Sequence, residues 1–236
     1  GLTSIVGIYI AFRGENLESL WSQILQIDKV AFYSANLLLL LSCVIRAYRW
    51  GLLIEPIEKI GLKHLFSSTM IGYFGNGVLV FRLGELLKAY SISKNSSLSV
   101  PQAFGTVILE RILDLLTVLF IFLLFFPWFP FEYEWLRVGV IAFSVLLMAM
   151  ILFIFLVFKF KWNNKLNSLK IFQTSYGKNI IHILNKIFDG IFLIKNIKHY
   201  FGVIVSSGLL WGIYYFITFI LLYACGIDLG IVGSGV

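Results

Sequence analysis

The 236-residue chain is 59% hydrophobic and 17% aromatic, only 13% of it is charged, and its mean hydropathy is +0.91, which excludes a water-soluble globule. Twenty-three Phe and 11 Tyr against four Pro exclude collagenous and disordered classes, and no basic, aromatic-poor tail points to nucleic acid. The composition predicts an all-α, polytopic transmembrane helical bundle, and its formal charge of +7 needs a partner other than nucleic acid.

A bilayer core about 30 Å thick takes roughly 20 apolar residues as a helix. Gly1 to Phe12 is too short, since twelve helical residues reach about 18 Å. No basic n-region precedes Gly1, so residues 1–12 read as the end of a truncated first span rather than a signal peptide. Val30 to Val44, extended by Ile45 and the turn at Arg46, is the second span. Leu65 to Phe81 is interrupted by Ser67, Ser68, Thr69, Asn76 and nearby glycines, and makes a poor lipid-facing helix. Val107 to Phe126, Val138 to Phe158 and Phe201 to Tyr223 are long enough to cross. The abrupt stop at Gly233-Ser-Gly-Val236 predicts a fragment, so the whole of 1–236 is read as one transmembrane domain truncated at both ends.

Lys and Arg collect in cytoplasmic loops. Arg13 to Lys29 holds two basic and three acidic residues and is placed outside; Arg46 to Lys63 holds four basic and two acidic and is placed inside. Arg82 to Lys94 again holds three basic residues against Glu85, so the chain is positive on both sides of Leu65 to Phe81. A single crossing there would break the rule. Residues 65–99 are therefore predicted to form a re-entrant hairpin, because irregular Gly-rich backbone at membrane depth must be buried in protein or line a watery cavity. Pro127 to Arg137, with Glu132 and Glu134 and an aromatic belt of Trp128, Tyr133 and Trp135, lies outside. Lys159 to Lys198, with eight Lys and one Asp, gives the strongest inside signal and places residues 159–199 at the cytoplasmic face.

Within that stretch Ile180, Ile181, Leu184, Ile187, Phe188, Ile191 and Phe192 recur at helical spacing with Lys178 and Lys186 opposite, as in a helix lying in the interface. Positive-inside bias with general attraction to anionic lipid, about 1 kcal/mol per Lys, accounts for the eight Lys, and a specific lipid site there is the lesser alternative. Cys43 and Cys225 lack CxxC spacing, and His64, His182 and His199 are scattered, so neither a metal nor a disulfide nor any cofactor is indicated. Gly72, Gly75 and Gly77 fit close helix packing better than nucleotide binding.

Glu110, Arg111 and Asp114 stand at the head of a span, where an ionised side chain at mid-membrane costs about 2.5 to 3.5 kcal/mol. Glu110 and Asp114 share a face at i, i+4, and Arg111 reaches Asp114 at i, i+3, leaving one surplus negative charge. Arg46 and Arg49, and Arg82 and Lys88, are the candidate partners. These groups can form a buried network that holds helices together. They can also face a cavity open to the cytosol, where arginines, Asn76 and the hairpin's amides hold an anionic head group, since the guanidinium fork donates two parallel hydrogen bonds to phosphate. The two readings are compatible. No His-paired Ser or Cys and no HExxH supports covalent chemistry, so no catalytic residue is assigned.

Three motifs in order, Arg46-Ala-Tyr-Arg49-Trp50, then Asn76 to Glu85, then Glu110-Arg111-Ile-Leu-Asp114, make the chain resemble the lysylphosphatidylglycerol synthase/flippase transmembrane family over nearly its whole length. The family's middle motif reads roughly N-x-x-L-P-x-R-x-G-E; Asn76, Leu79, Arg82, Gly84 and Glu85 match it, whereas Val80 stands where proline is usual. The family's later Pro-Gly-Gly-x-Gly motif finds no convincing substitute in Gly233-Ser-Gly-Val236.

The resemblance implies a helical domain with re-entrant hairpins that binds an anionic or aminoacylated phospholipid, or a polyprenyl-linked lipid, and moves it between leaflets. It does not imply lysyl transfer, which belongs to a soluble domain outside this sequence. On this reading Arg46, Arg49 and Arg82 contact phosphate, Asn76 contacts the polar head, and Glu110 with Asp114 position the arginines or bind a cationic head. Glu85, Lys88 and Arg111 complete the head-group or gating set. The alternative is a membrane enzyme or enzyme subunit acting on lipid-linked phosphate or sugar, with Glu85 or Glu110 as base. Membrane lipid is the expected partner, with a homo-oligomer or a separate lipid-modifying enzyme left open.

Overall fold

The computed structural model describes residues 28–79, 81, 83–125 and 175–226, together with scattered positions between 6 and 25 and between 138 and 152. Arg82, Val80, the aromatic belt at Pro127 to Arg137 and the basic residues 159–170 lie outside the described residues. The helices are α1 (Lys29–Ile54), α2 (Leu62–Val78), α3 (Gly84–Ser93), α4 (Val100–Phe125), α5 (Ser175–Phe192), a 3₁₀ turn (Leu193–Asn196) and α6 (Tyr200–Ala224). There is no strand among the described residues, and the described positions between 138 and 152 are helical. The chain divides into two compact units, Leu41–Gly212 and a second made of Gly1–Leu40 with Ile213–Val236. All that follows on packing and sites concerns Leu41–Gly212.

Asp28 starts α1 by accepting the Val30 amide on its side chain at 2.8 Å, an N-cap. The helix then runs ten residues past the predicted apolar limit at Val44, through both arginines to Ile54. With 26 residues in α1 and 25 in α6, each is about 38 Å long and apolar enough to cross a bilayer. α4 has the same length as α1 and begins at Val100, seven residues before the predicted span.

α2 and α3 form an antiparallel hairpin. Ser68 and Ser91 hydroxyls meet at 3.0 Å at its base, and Gly72 and Gly75 lie against Lys88 and Gly84 toward its tip. A Cβ at Gly84 would strike the Gly72 carbonyl and the Asn76 amide, so only glycine lets the two backbones approach this closely. The break between the helices needs no proline: Leu79 leaves α2 in extended conformation and Phe81 takes a φ of 58°. That is a left-handed backbone, which a bulky residue rarely adopts. α4 and α5 also cross at backbone contact, because a side chain at Gly105 would meet the Ile187 carbonyl and one at Gly190 the Gln102 carbonyl.

One apolar core joins α1 through α4 around the buried Trp50, Ile54, Leu65, Ile92 and Val107. A second joins α1, α4, the 3₁₀ turn and α6 around Leu53, Leu109, Ile197 and Val203. Between them the connector after α1 is tied to the connector before α4: Glu58 Oε2 accepts the Ser97 hydroxyl at 2.6 Å and the Ser97 amide at 2.7 Å.

Two outcomes are expected. Gly84→Ala should cost about 1 to 3 kcal/mol by overpacking, read as a lower unfolding temperature in detergent, whereas Gly77→Ala, with no heavy atom in reach of a new Cβ, should be neutral or slightly stabilising. The Ser97 bonds hold the Glu58 carboxyl below the usual carboxylate range. The clasp they form is therefore complete above that range and is lost as pH falls through the lowered value. Amide exchange at Ser97 should accelerate on acidification relative to Glu58→Ala, which has no acceptor for the clasp at any pH.

Candidate functional site

Arg46, Arg49, Trp50 and Leu53 make the buried face of α1 in its last two turns. α3 contributes Glu85 and Lys88 one turn apart, and α4 contributes Glu110, Arg111 and Asp114. The hairpin sets the depth of α3, so Lys88 reaches across to Glu110 Oε2 at 2.5 Å. Glu110 Oε1 is bound by Arg46 at 3.1 Å and by Arg111 at 3.3 Å, with Arg49 at 3.6 Å. Asp114 takes Arg49 on Oδ1 at 2.5 Å, and Arg46 and Arg111 on Oδ2 at 2.9 and 3.3 Å. Arg111 also lies 3.7 Å from Glu85.

Seven of the nine residues singled out in the sequence thus converge. Asn76 borders the same spot, its Oδ1 buried and without a hydrogen-bond partner among the described residues. Arg82 lies outside the described residues. The surplus negative charge read on α4 is overbalanced, because four cations now face three carboxylates. Arg46 and Arg49 are consumed in this network, so they are not loop charges. Of the Arg46 to Lys63 segment, only Lys59 and Lys63 then remain against Glu55 and Glu58, and the segment alone no longer marks a side of the membrane.

Two participants were given no role in the sequence reading, although Trp50 stands in the first motif. Ser207 of α6 accepts Arg49 Nη1 at 3.1 Å and ties the last helix to the cluster; paired Ser206-Ser207 inside an apolar run was the available signal. Trp50 donates its indole N–H to Thr106 at 3.0 Å while Lys88 Nζ sits 4.1 Å from its ring centroid, a cation–π contact that shields the ammonium.

Among the described residues the expected open hollow is absent. The space enclosed by Arg46, Thr69, Asn76, Lys88 and Arg111 is about 10 Å³, the lower limit for a single water. The carboxylates are saturated by arginine and lysine, and those ion pairs bridge the three helices. Glu110 and Arg49 are fully buried, Asp114 nearly so, and only the Arg111–Glu85 edge is partly exposed, at 40% and 24%.

Removing one partner of such a network strands the other charge at a cost of about 3 to 5 kcal/mol, whereas replacing a whole pair by apolar or neutral groups is often nearly neutral. Glu110→Gln should therefore lower the unfolding temperature in detergent strongly. Adding Lys88→Met to Glu110→Gln should recover part of the loss. If the double variant were as unstable as the two single losses added, the ion pair between these residues would carry no coupling.

The lysylphosphatidylglycerol synthase TM region model matches residues 1–236. The UPF0104 membrane protein MJ1595 of Methanocaldococcus jannaschii is 33% identical over 95 residues, covering 39% of this chain and 28% of that protein. The chain therefore matches less than a third of that curated relative's length. No solved structure matches. The chain is an integral membrane protein and belongs to the lysylphosphatidylglycerol synthase TM region family.

Proposed function

We propose that the chain binds an anionic or aminoacylated phospholipid, or a polyprenyl-linked lipid, and carries its head group between leaflets past the Arg46–Arg49–Glu110–Asp114 cluster. The observation that carries this reading is a set of ionised side chains, buried to 8% exposure or less, at the junction of three helices in a membrane protein. Ionisable groups inside a bilayer are expensive and mark pathways for polar cargo. A head-group phosphate would replace Glu110 or Asp114 on the guanidinium forks, and the freed carboxylate would balance the charge of Lys88 or of a cationic head.

The closed geometry represents the unloaded state in this scheme. Opening would begin at the Arg111–Glu85 contact, the longest and most exposed ion pair of the cluster. The α2–α3 hairpin fits a re-entrant element. At 17 and 10 residues its helices reach about 26 and 15 Å, so neither spans the core alone. Among the described residues of its tip, two apolar side chains are uncovered, Val78 at 65% and Phe81 at 93% exposure. In this scheme the tip sits in lipid, residues 159–198 face the cytoplasm, and the membrane is a prokaryotic inner membrane.

The test is translocation of a fluorescent phospholipid in vesicles containing the full-length protein. Arg46→Lys keeps the charge and removes the fork, a loss of about 1.5 to 3 kcal/mol per charge-assisted hydrogen bond. The rate should fall about tenfold or more while the unfolding temperature is retained. An unchanged rate would take the arginine off the path.

A further inference from the structure

A second cavity lies apart from the ion-pair cluster. It occupies about 850 Å³ and shares no residue with the cluster. Its α1 wall is the helix flank turned away from Arg46 and Arg49, formed by Tyr48, Leu52 and Glu55 at i, i+4 and i+7. The buried Leu65 of α2 lies against Gly51 at its base, and the highly exposed Phe201 of α6 stands on the other side. Its interior is mostly apolar, but its mouth is not.

Lys59, from the α1–α2 connector, and Lys198, just before α6, both line the mouth and are both exposed. Neither joins an ion pair among the described residues. Glu55, the acidic lining residue, is instead faced by His199, with Nε2 3.5 Å from Oε2. Two free ammonium groups therefore stand above an apolar trough whose carboxylate is turned to another partner.

We infer that this groove holds one anionic phospholipid, with its phosphate between Lys59 and Lys198 and the glycerol and first acyl carbons along Tyr48, Leu52 and Phe201. Three observations support this occupant. The volume lies within the range of small-molecule sites. The division into cationic mouth and apolar trough matches a molecule with an anionic head and hydrocarbon tails. Lys198 also ends the lysine-rich stretch that charge bias places in the cytoplasm, facing the leaflet that carries anionic lipid. Occupancy is an equilibrium property of the groove and does not depend on translocation through the cluster.

The test is native mass spectrometry of the delipidated full-length protein titrated with phosphatidylglycerol or phosphatidylcholine. One phosphatidylglycerol should bind with at least about tenfold preference over phosphatidylcholine. Lys59→Gln with Lys198→Gln should weaken phosphatidylglycerol about tenfold and leave phosphatidylcholine unchanged. Lys94→Gln with Lys178→Gln, the same charge change elsewhere, should leave both unchanged. Leu62→Trp, which fills the trough from its rim, should exclude both lipids. The proposal is overturned if phosphatidylglycerol shows no preference, if the control pair weakens it as much as the groove pair, or if binding survives Leu62→Trp. Loss of vesicle translocation with this binding intact would count against the cluster reading alone.

Discussion

A carboxylate with no exposed surface inside a membrane protein must be matched by cations brought to it, and Glu110 imposes that condition on the fold. Helices in lipid gain little from burying apolar side chains against one another, since the surrounding tails are equally apolar. Packing between backbones and polar contacts must then select one arrangement. Here Glu110 and Asp114 recruit α1 through two arginines, α3 through Lys88, and, by way of Arg49, α6 through Ser207. The same pairs are weak evidence for stability, because desolvating each ion offsets most of its Coulomb gain. Their clearer effect is on register: a shift of one turn in α1 or α4 would leave several buried charges without counterparts.

The glycines do complementary work. Gly84 against α2, and Gly105 against Gly190, hold helix pairs at backbone distance, so Lys88 and α5 are presented at set depths. The cluster is therefore shut by geometry supplied from elsewhere as well as by its own charges. The lipid groove is formed under looser constraints, by the ends of α1, α2 and α6 and the connectors beside them.

Much of this was legible in the sequence, and the gaps have physical causes. Apolar length and charge interruption located α1, α4 and α6, and the polar, Gly-bearing run located the hairpin. α1 was read too short because arginines at Arg46 and Arg49 look like the end of an apolar run; paired with Glu110 and Asp114 they are carried inside the helix instead. α4 starts ahead of the apolar run at Val107 because Pro101 and Gln102 form its first turn, where proline is tolerated. Charges in an apolar context pointed to the cluster, but spacing alone could not choose among Arg46, Arg49, Arg82 and Lys88 as partners. Whether the pocket stands open is a matter of side-chain geometry, and spacing is silent on it. The groove was invisible for another reason: Tyr48, Leu52 and Phe201 are ordinary apolar residues far apart in the chain, and Lys59 and Lys198 passed as members of general charge bias.

The Glu58–Ser97 clasp has a mechanical consequence. It fastens the strand of chain leading into the hairpin to the strand leaving it, so both stems share one pivot, while Phe81 at the far end is uncovered. A rigid tilt of such a body about that pivot by roughly 10°, over an arm of about 25 Å, would carry the tip about 4 Å while the clasp scarcely shifted. Lys88 and Glu85 lie on α3 between the clasp and Phe81, so such a tilt would move the charges beside α4 by less than it moves the tip.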